Sequence, residues 1–235
     1  MRDGLGGEAE MIVLRDIEQG SPEWFQARLG VVTASELTNI LTPVELKRSS
    51  QAEAYRHRLL AEYLIGKPLE SFESDWMKRG KEFEAEAREC YAFITDKEIV
   101  PVGFIYRDEN KLVGCSPDGI EESNGEITGG VEIKCLSPGK HVNLLLANRV
   151  PRDFILQVQG SMWVTGLQTW NFFGYHPDLK PLLLTVRRDE RIIEALQRAV
   201  EDFLIVMLRE REALAGQNGT TQALEASLRM VGVNT

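Results

Sequence analysis

One short run constrains this chain more than any other: Val131-Glu132-Ile133-Lys134-Cys135 sets an acid and an amine two residues apart inside an otherwise apolar stretch. Side chains alternate along a β-strand, so Glu132 and Lys134 share one face while Ile133 turns to the other. A strand so apolar is buried on at least one face, where an uncompensated charge is costly and needs a partner. Upstream lies Gly114-Cys115-Ser116-Pro117-Asp118-Gly119. If the strand carrying Val113 to Cys115 pairs beside Val131 to Leu136, Asp118 comes close to Glu132. Two carboxylates and the Ile133 carbonyl then stand in one place, the hard oxygen set with which Mg2+ is held between protein, water and a phosphate. Lys134 beside them is placed to orient or deprotonate a water, or to neutralise charge growing on a phosphate. Taken alone, an acid followed two places later by lysine is common and describes a solvated edge strand with an Asp-Gly turn. The apolar neighbours set this instance apart.

The rest of the chain reads as alternating helices and strands. Ser21 can cap a helix opening at Pro22 and running to 29, and Thr33 or Ser35 can start another. Tyr55, Leu59, Leu60, Tyr63 and Leu64 keep a helical period before Gly66-Lys67-Pro68, and Trp76, Phe83, Ala87, Cys90, Tyr91 and Ile94 make a long amphipathic helix from Asp75. Runs of β-branched and aromatic residues predict strands at 99–106, 111–115, 131–136, 169–176 and 181–186. A Gly- and Glu-rich loop is expected over 121–130, helices over 138–148 and 152–165, and a last long helix over 188–214. Strands flanked by helices on both sides imply an α/β fold with a mixed central sheet of about five strands. Residues 1–10 read as a flexible tail. Residues 11–235 read as a single domain, since one core can grow to roughly 250 residues.

No run approaches the roughly 18–20 apolar residues of a membrane span, and the first residues lack the apolar centre of a signal peptide, so a cytoplasmic protein is expected. Cys90, Cys115 and Cys135 form no CxxC pair, which argues against a disulfide framework or a zinc knuckle. His57, His141 and His176 are too dispersed in sequence to point to a histidine metal site.

Asp118 followed by Glu132-Ile133-Lys134, with Pro117 before the aspartate, resembles the PD-(D/E)xK nuclease signature. Further runs match in order: Ser21-Pro22-Glu23-Trp24 through Arg28, Thr33-Ala34-Ser35, Arg79-Gly80-Lys81-Glu82-Phe83-Glu84, the run from Gly114 to Gly119, and Gln157-Val158-Gln159-Gly160-Ser161-Met162-Trp163. Together they resemble the lambda-exonuclease and YqaJ-type viral recombinase family over residues 16–176. The resemblance implies a restriction-endonuclease-like core. It also implies a two-metal Mg2+ exonuclease, with Mn2+ able to substitute, that digests one strand of linear duplex DNA from its 5′ end. Asp118 and Glu132 would be metal ligands with the Ile133 carbonyl, and Lys134 would position the attacking water. Glu84 matches a further active-site acid and Gln157 an active-site glutamine. Arg28, Ser35 and Ser116 fall where relatives hold the terminal 5′-phosphate, and Met77 falls near an apolar side chain that parts the terminal base pair. Implied partners are a homotrimeric ring and a single-strand annealing protein, with a phage or prophage origin in a bacterial host.

Each assignment has a plainer counterpart. Glu84 beside Phe83 and Ala87 suits an ordinary helix boundary, Arg28 a helix C-terminus, Gln157 a satisfied core amide, and Met77 a core. Trp163 and Trp170 read as core rather than as base-stacking platforms. The charge total also weighs against DNA, because 27 basic against 36 acidic residues give a net −9. Locally the balance differs: residues 108–126 hold six acids and one base, whereas 134–152 hold Lys134, Lys140, Arg149 and Arg152 and no acid. A metal-binding acidic patch next to a basic stretch is what a DNA end requires. The chain departs from the family pattern in a longer Asp118–Glu132 loop and in Phe154 where a tyrosine is usual. Two alternatives stay open: a restriction-like endonuclease, against which the end clamp argues, and a non-catalytic DNA-binding scaffold, which has no use for the complete Asp118, Glu132 and Lys134 set.

Overall fold

A computed structural model describes residues 10–69 and 75–215, and among these the side chains of 75–82 are not described. Met77 therefore has a place on a helix but no side-chain account, and the stretch 216–235 and residues 1–9 of the expected tail over 1–10 lie outside the described residues. The element order is β1 (Ile12–Leu14), α1 (Pro22–Arg28), β2 (Val32–Thr33), a 3₁₀ turn (Ala34–Asn39), α2 (Ala52–Ile65), α3 (Asp75–Thr95), β3 (Phe104–Tyr106), β4 (Val113–Cys115), β5 (Gly119–Ser123), β6 (Glu126–Cys135), α4 (Pro138–Ala147), α5 (Arg152–Thr165), β7 (Thr169–Tyr175), β8 (Leu182–Arg187) and α6 (Glu190–Ala215).

The α/β class holds, and the strands divide over two mixed sheets of four, ordered β1-β3-β4-β2 and β5-β6-β7-β8, rather than forming one sheet of about five. Three strands carry no usable sequence period. β1 and β2 are three and two residues long, and β5 with the start of β6 occupies the expected loop over 121–130 as a hairpin turning at Asn124-Gly125, both with positive φ. The expected strand over 99–106 is split. Val100 bridges Ile120 in the second sheet, while Phe104–Tyr106 pairs in the first. Gly103 makes the crossing possible, because a Cβ there would lie 2.2 Å from Ile17 Cγ1 and 2.4 Å from the Ile17 carbonyl oxygen. The chain crosses a second time at Ser116-Pro117-Asp118, between β4 of one sheet and β5 of the other.

Helix α5 lies where the halves of the core meet. Leu156, Trp163 and Val164 pack with α2, α6, β3 and β4, while Val158 and Met162 pack with Trp170 and Phe172 of β7 and Leu144 of α4. Every residue from Val158 to Val164 is buried, so no single apolar stripe marks the helix. Trp163 and Trp170 are core, at 7% and 1% exposure. On the other face of the second sheet, Ala87 and Tyr91 of α3 pack on Val131, Ile133, Phe173 and Tyr175. The buried Arg56 is answered by Glu210 through a two-point pair at 2.6 and 2.9 Å that ties α2 to α6.

The β6–β7 seam sets a strict size limit. A Cβ at Gly130 would stand 2.3–2.5 Å from three atoms of the buried Trp170 ring. Gly130→Ala should therefore cost about 1–3 kcal/mol by overpacking, seen as a lower midpoint in urea with an unchanged slope. A midpoint equal to that of the unaltered protein would mean the indole moves aside freely.

Candidate active site

The strand β6 presents its alternating faces as its sequence dictates. Val131 and Ile133 face α3, while Glu132 and Lys134 face α5. Glu132 is 2% exposed. Its Oε1 accepts from Lys134 Nζ at 2.6 Å and from Gln157 Nε2, on α5, at 2.6 Å. Phe154, one turn earlier on α5, stacks its ring under the ammonium at 4.9 Å. The side chain that lacks the tyrosine hydroxyl thus meets Lys134 through its π-face.

Asp118 reaches this group by a route other than the expected one. β4 pairs with β2 and β3, not with β6. It is β5 that pairs with β6, and the ladder ends at Gly119↔Val131. Beyond it the Asp118 N–H donates to the Val131 carbonyl at 3.2 Å, and Asp118 Oδ2 accepts from the Ile133 N–H at 2.6 Å. A residue in a strand directs its N–H and C=O to the same edge, so the Ile133 carbonyl also points to Asp118. The aspartate stands at the open edge of β6, level with the pair on its face.

The electrostatics follow from this crowding. Burial first, and Glu132 second, hold the Asp118 carboxyl well above the usual carboxylate range, against the pull of Lys134 and the Ile133 N–H. Burial works to lower the Lys134 ammonium, but Glu132 and Asp118 outweigh it and hold it above the ordinary lysine value. An ammonium held this way is placed to orient a water or to neutralise charge on a phosphate. Burial, and then Glu84, push the Cys135 thiol up to about 12, so it is inert. Glu84 makes its hydrogen bond to Arg88 Nη1, at 2.7 Å, and comes from α3, the helix on the other face of β6. Its charge is felt at Asp118 and Lys134, yet no hydrogen bond joins it to them among the described residues.

A second cluster adjoins the first. The Arg28 guanidinium lies 4.1 Å above the Trp24 ring and donates from Nη1 to Ser116 Oγ at 3.2 Å. Trp24 Nε1 donates to the same hydroxyl at 2.9 Å and to the Gly103 carbonyl at 3.0 Å. Burial lowers the Arg28 pKa from its ordinary value, and among the described residues no carboxylate pairs with it directly. Ser35, in the 3₁₀ turn, shares a hydrogen bond with Thr33 Oγ1 at 3.2 Å and is not bonded to Arg28 or Ser116. A cavity of about 170 Å³ opens here, lined by Trp24, Arg28, Thr33, Glu36, Tyr55 and Arg58 among others.

The geometry thus joins Asp118, Glu132, Lys134 and Gln157 in one group and Arg28 with Ser116 in another, with Glu84 and Ser35 at their margins. Sequence reasoning gave Trp24 no role, although its spacing of four from Arg28 puts both on one helical face. His141 and His176, dispersed in sequence, approach to 6.1 Å between ring centres, but His141 Nε2 is spent on the Lys180 carbonyl. Among the described residues no three His, Cys, Asp or Glu side chains gather as a metal cluster, and no helix is long and apolar enough to cross a membrane.

Residues 23–168 match the YqaJ-like viral recombinase domain. The chain belongs to that family. An alkaline exonuclease, LHK-Exo, from Laribacter hongkongensis is 29% identical, with a TM-score of 0.74 over 84% of this chain and 97% of that one, and a structure of the same enzyme in complex with dAMP gives the same figures. A phage-related exonuclease from Haemophilus somnus 129PT, 14% identical, shares the fold with a TM-score of 0.59 over 80% of this chain and 96% of its own. No curated protein matches.

For this YqaJ-type chain the carboxylate pair has a measurable consequence. The native Asp118 value lies above the unfolded one, so its contribution is intact below the ordinary carboxylate range and lost as pH rises through the native value. Asp118→Asn, which keeps an oxygen for the Ile133 N–H, should raise the metal-free melting temperature at pH 8 by about 2–4 °C. The gain should shrink toward about pH 4. A variant that melts with the unaltered protein at both pH values would show that neither burial nor Glu132 raises Asp118.

Proposed function

We propose that the chain is a Mg2+-dependent 5′–3′ exonuclease that digests one strand of linear double-stranded DNA to mononucleotides, leaving a 3′ single strand for annealing recombination. The observation that carries this reading is the strap Ser116-Pro117-Asp118, which connects a half-buried arginine clamp at one end to a carboxylate group at the other. A half-buried guanidinium without a carboxylate partner among the described residues suits an anion, and its fork suits the terminal phosphate of a strand. Nuclease chemistry is supported by family membership and by the likeness to an alkaline exonuclease that has been crystallised with dAMP, a nucleoside monophosphate.

The donor set fits a hard dication. The internal hydrogen bonds fall on Asp118 Oδ2 and Glu132 Oε1, which leaves Asp118 Oδ1, Glu132 Oε2 and the Ile133 carbonyl to hold Mg2+, with Mn2+ able to substitute. Bound there, a cation would offset the Glu132 charge that, after burial, raises Asp118. The bound metal supplies a polarised phosphate and an activated water. A second ion would draw on substrate and water oxygens, with Glu84 as the nearest further acid of the proposed set.

The chain's own groups do the rest. Lys134 donates from Nζ to a water or a phosphoryl oxygen and offsets growing negative charge. Gln157 Nε2 keeps the Glu132 carboxylate from swinging. Arg28, with Ser116 and Ser35 nearby, holds the 5′-phosphate, and Met77 belongs to the same reading as a wedge at the terminal base pair. A homotrimeric ring and a single-strand annealing partner complete it. A ring lets basic side chains such as Lys140, Arg149 and Arg152 gather inward although the chain carries a net −9. An endonuclease has no need of the arginine clamp, and a scaffold has none of the buried charge set.

The deciding experiment uses linear duplex DNA labelled at one 5′-phosphorylated end, with Mg2+ or EDTA, beside a closed circle. Early release of labelled mononucleotide, only from linear DNA and only with Mg2+, is expected; cutting of the circle would favour the endonuclease. Lys134→Ala should lower kcat by about 10²–10³-fold while DNA binding survives, and full activity would remove Lys134 from the mechanism. Arg28→Ala should slow cleavage of phosphorylated ends by about tenfold or more and leave hydroxyl ends nearly unchanged. An equal loss on both ends would make Arg28 a general backbone contact.

A further inference from the structure

We propose that Gln19 is a positioning residue for Asp118, acting through the peptide unit that joins Pro117 to Asp118. The proposal rests on the exonuclease reading of the acid group and adds a residue that touches none of its side chains. Gln19 lies in the turn between β1 and α1. Its Nε2 donates to the Val102 carbonyl at 2.8 Å and to the Pro117 carbonyl at 2.8 Å. A side-chain amide has two hydrogens, so both are committed. The two acceptors belong to the two segments that cross between the sheets: Val102 follows Val100, which bridges Ile120, and leads into β3, while Pro117 links β4 to β5.

The mechanical consequence follows from the planar peptide. The Pro117 carbonyl and the Asp118 N–H belong to one rigid unit. Its N–H end is fixed by the Val131 carbonyl of β6 at 3.2 Å and its carbonyl end by Gln19. Proline has no N–H of its own with which to anchor the strap. Without Gln19 the unit is held at one end only. Rotation about it then swings the Asp118 carboxylate relative to Glu132 and the Ile133 carbonyl, the oxygens proposed to share a cation. The same two hydrogen bonds hold the crossing segments side by side, so the turn before α1 registers the acid group against the helix that carries Arg28.

Gln19→Met keeps the length of the side chain and removes both donors. In the full chain without DNA, calorimetric titration with Mn2+ should show affinity weakened about tenfold, the low end of what outer partners of metal ligands are worth. Cleavage of 5′-phosphorylated linear DNA should lose kcat by a similar factor, with KM for DNA within twofold. Gln19→Asn, too short to reach both carbonyls, should fall between and serves where the methionine variant does not fold. The control is Gln159→Met. Gln159 is a buried amide that likewise binds main chain, the Arg187 carbonyl and the Asp189 N–H at 2.9 Å each, but at the β8–α6 corner. It should lower the melting temperature and leave Mn2+ affinity within twofold. Unchanged Mn2+ affinity in Gln19→Met, or an equal loss in the control, overturns the proposal while the unaltered chain still binds Mn2+ and cuts DNA. An unaltered chain that does neither overturns the exonuclease reading and this proposal with it.

Discussion

Much of the architecture turns on a side chain standing in for a strand. The β5–β6 ladder stops at Gly119↔Val131, and the next ladder position on β6, the Ile133 N–H, is answered by Asp118 Oδ2 at 2.6 Å. An orphaned N–H at a buried sheet edge costs on the order of 1–3 kcal/mol, so the fold requires an acceptor oxygen at this position, and only the chemistry requires it to be a carboxylate. Because it replaces backbone, Asp118 stands in the plane of the sheet, while Glu132 and Lys134 rise from its face. Three functional groups with different reach therefore converge without a loop of their own.

That convergence is costly to the folded chain and is made tolerable by pairing. Glu132 is nearly inaccessible, and an unpaired carboxylate at such a site would cost several kcal/mol. Lys134 and Gln157 both bind its Oε1, and Phe154 covers the ammonium that would otherwise be half-satisfied. Asp118 bears the remaining electrostatic cost, since burial and Glu132 hold its carboxyl above the usual range. Helix α5, which delivers Gln157 and Phe154, is buried on nearly all sides, and close approach at Gly160, where a Cβ would lie 2.3 Å from Leu37 Cδ1, seats it against the 3₁₀ turn that carries Ser35.

How much of this was legible in the sequence depends on the length over which each signal acts. The shared face of Glu132 and Lys134 is a two-residue property of any strand and was read directly. The helices over 22–29, 51–65, 75–94 and 152–165 follow from caps and periods within one element, and the structure places them within one or two residues. The sheets were less legible. β1 and β2 are too short to show alternation, and β5 hides in a run of Gly and Glu that reads as loop, although Glu121 is buried and accepts from Tyr91 and Lys97. The proximity of Asp118 to Glu132 was anticipated through the wrong neighbour, since pairing partners are long-range and β4 joins the other sheet. Gln19 and Trp24 act on main chain and hydroxyls roughly 80–100 residues away, and nothing local announces such a reach.

The two crossings between sheets also bear on how the clamp and the acid group are held together. Ser116 and Asp118 are two residues apart, so their Cα atoms are separated by at most about 7 Å. One belongs to the arginine clamp and the other to the acid group. On the exonuclease reading, a strand whose terminal phosphate sits at Arg28 would run along this strap toward the carboxylates. Gln19 binds the middle of the strap at the Pro117 carbonyl, so on the positioning proposal one hydrogen bond keeps the clamp and the acid group in register.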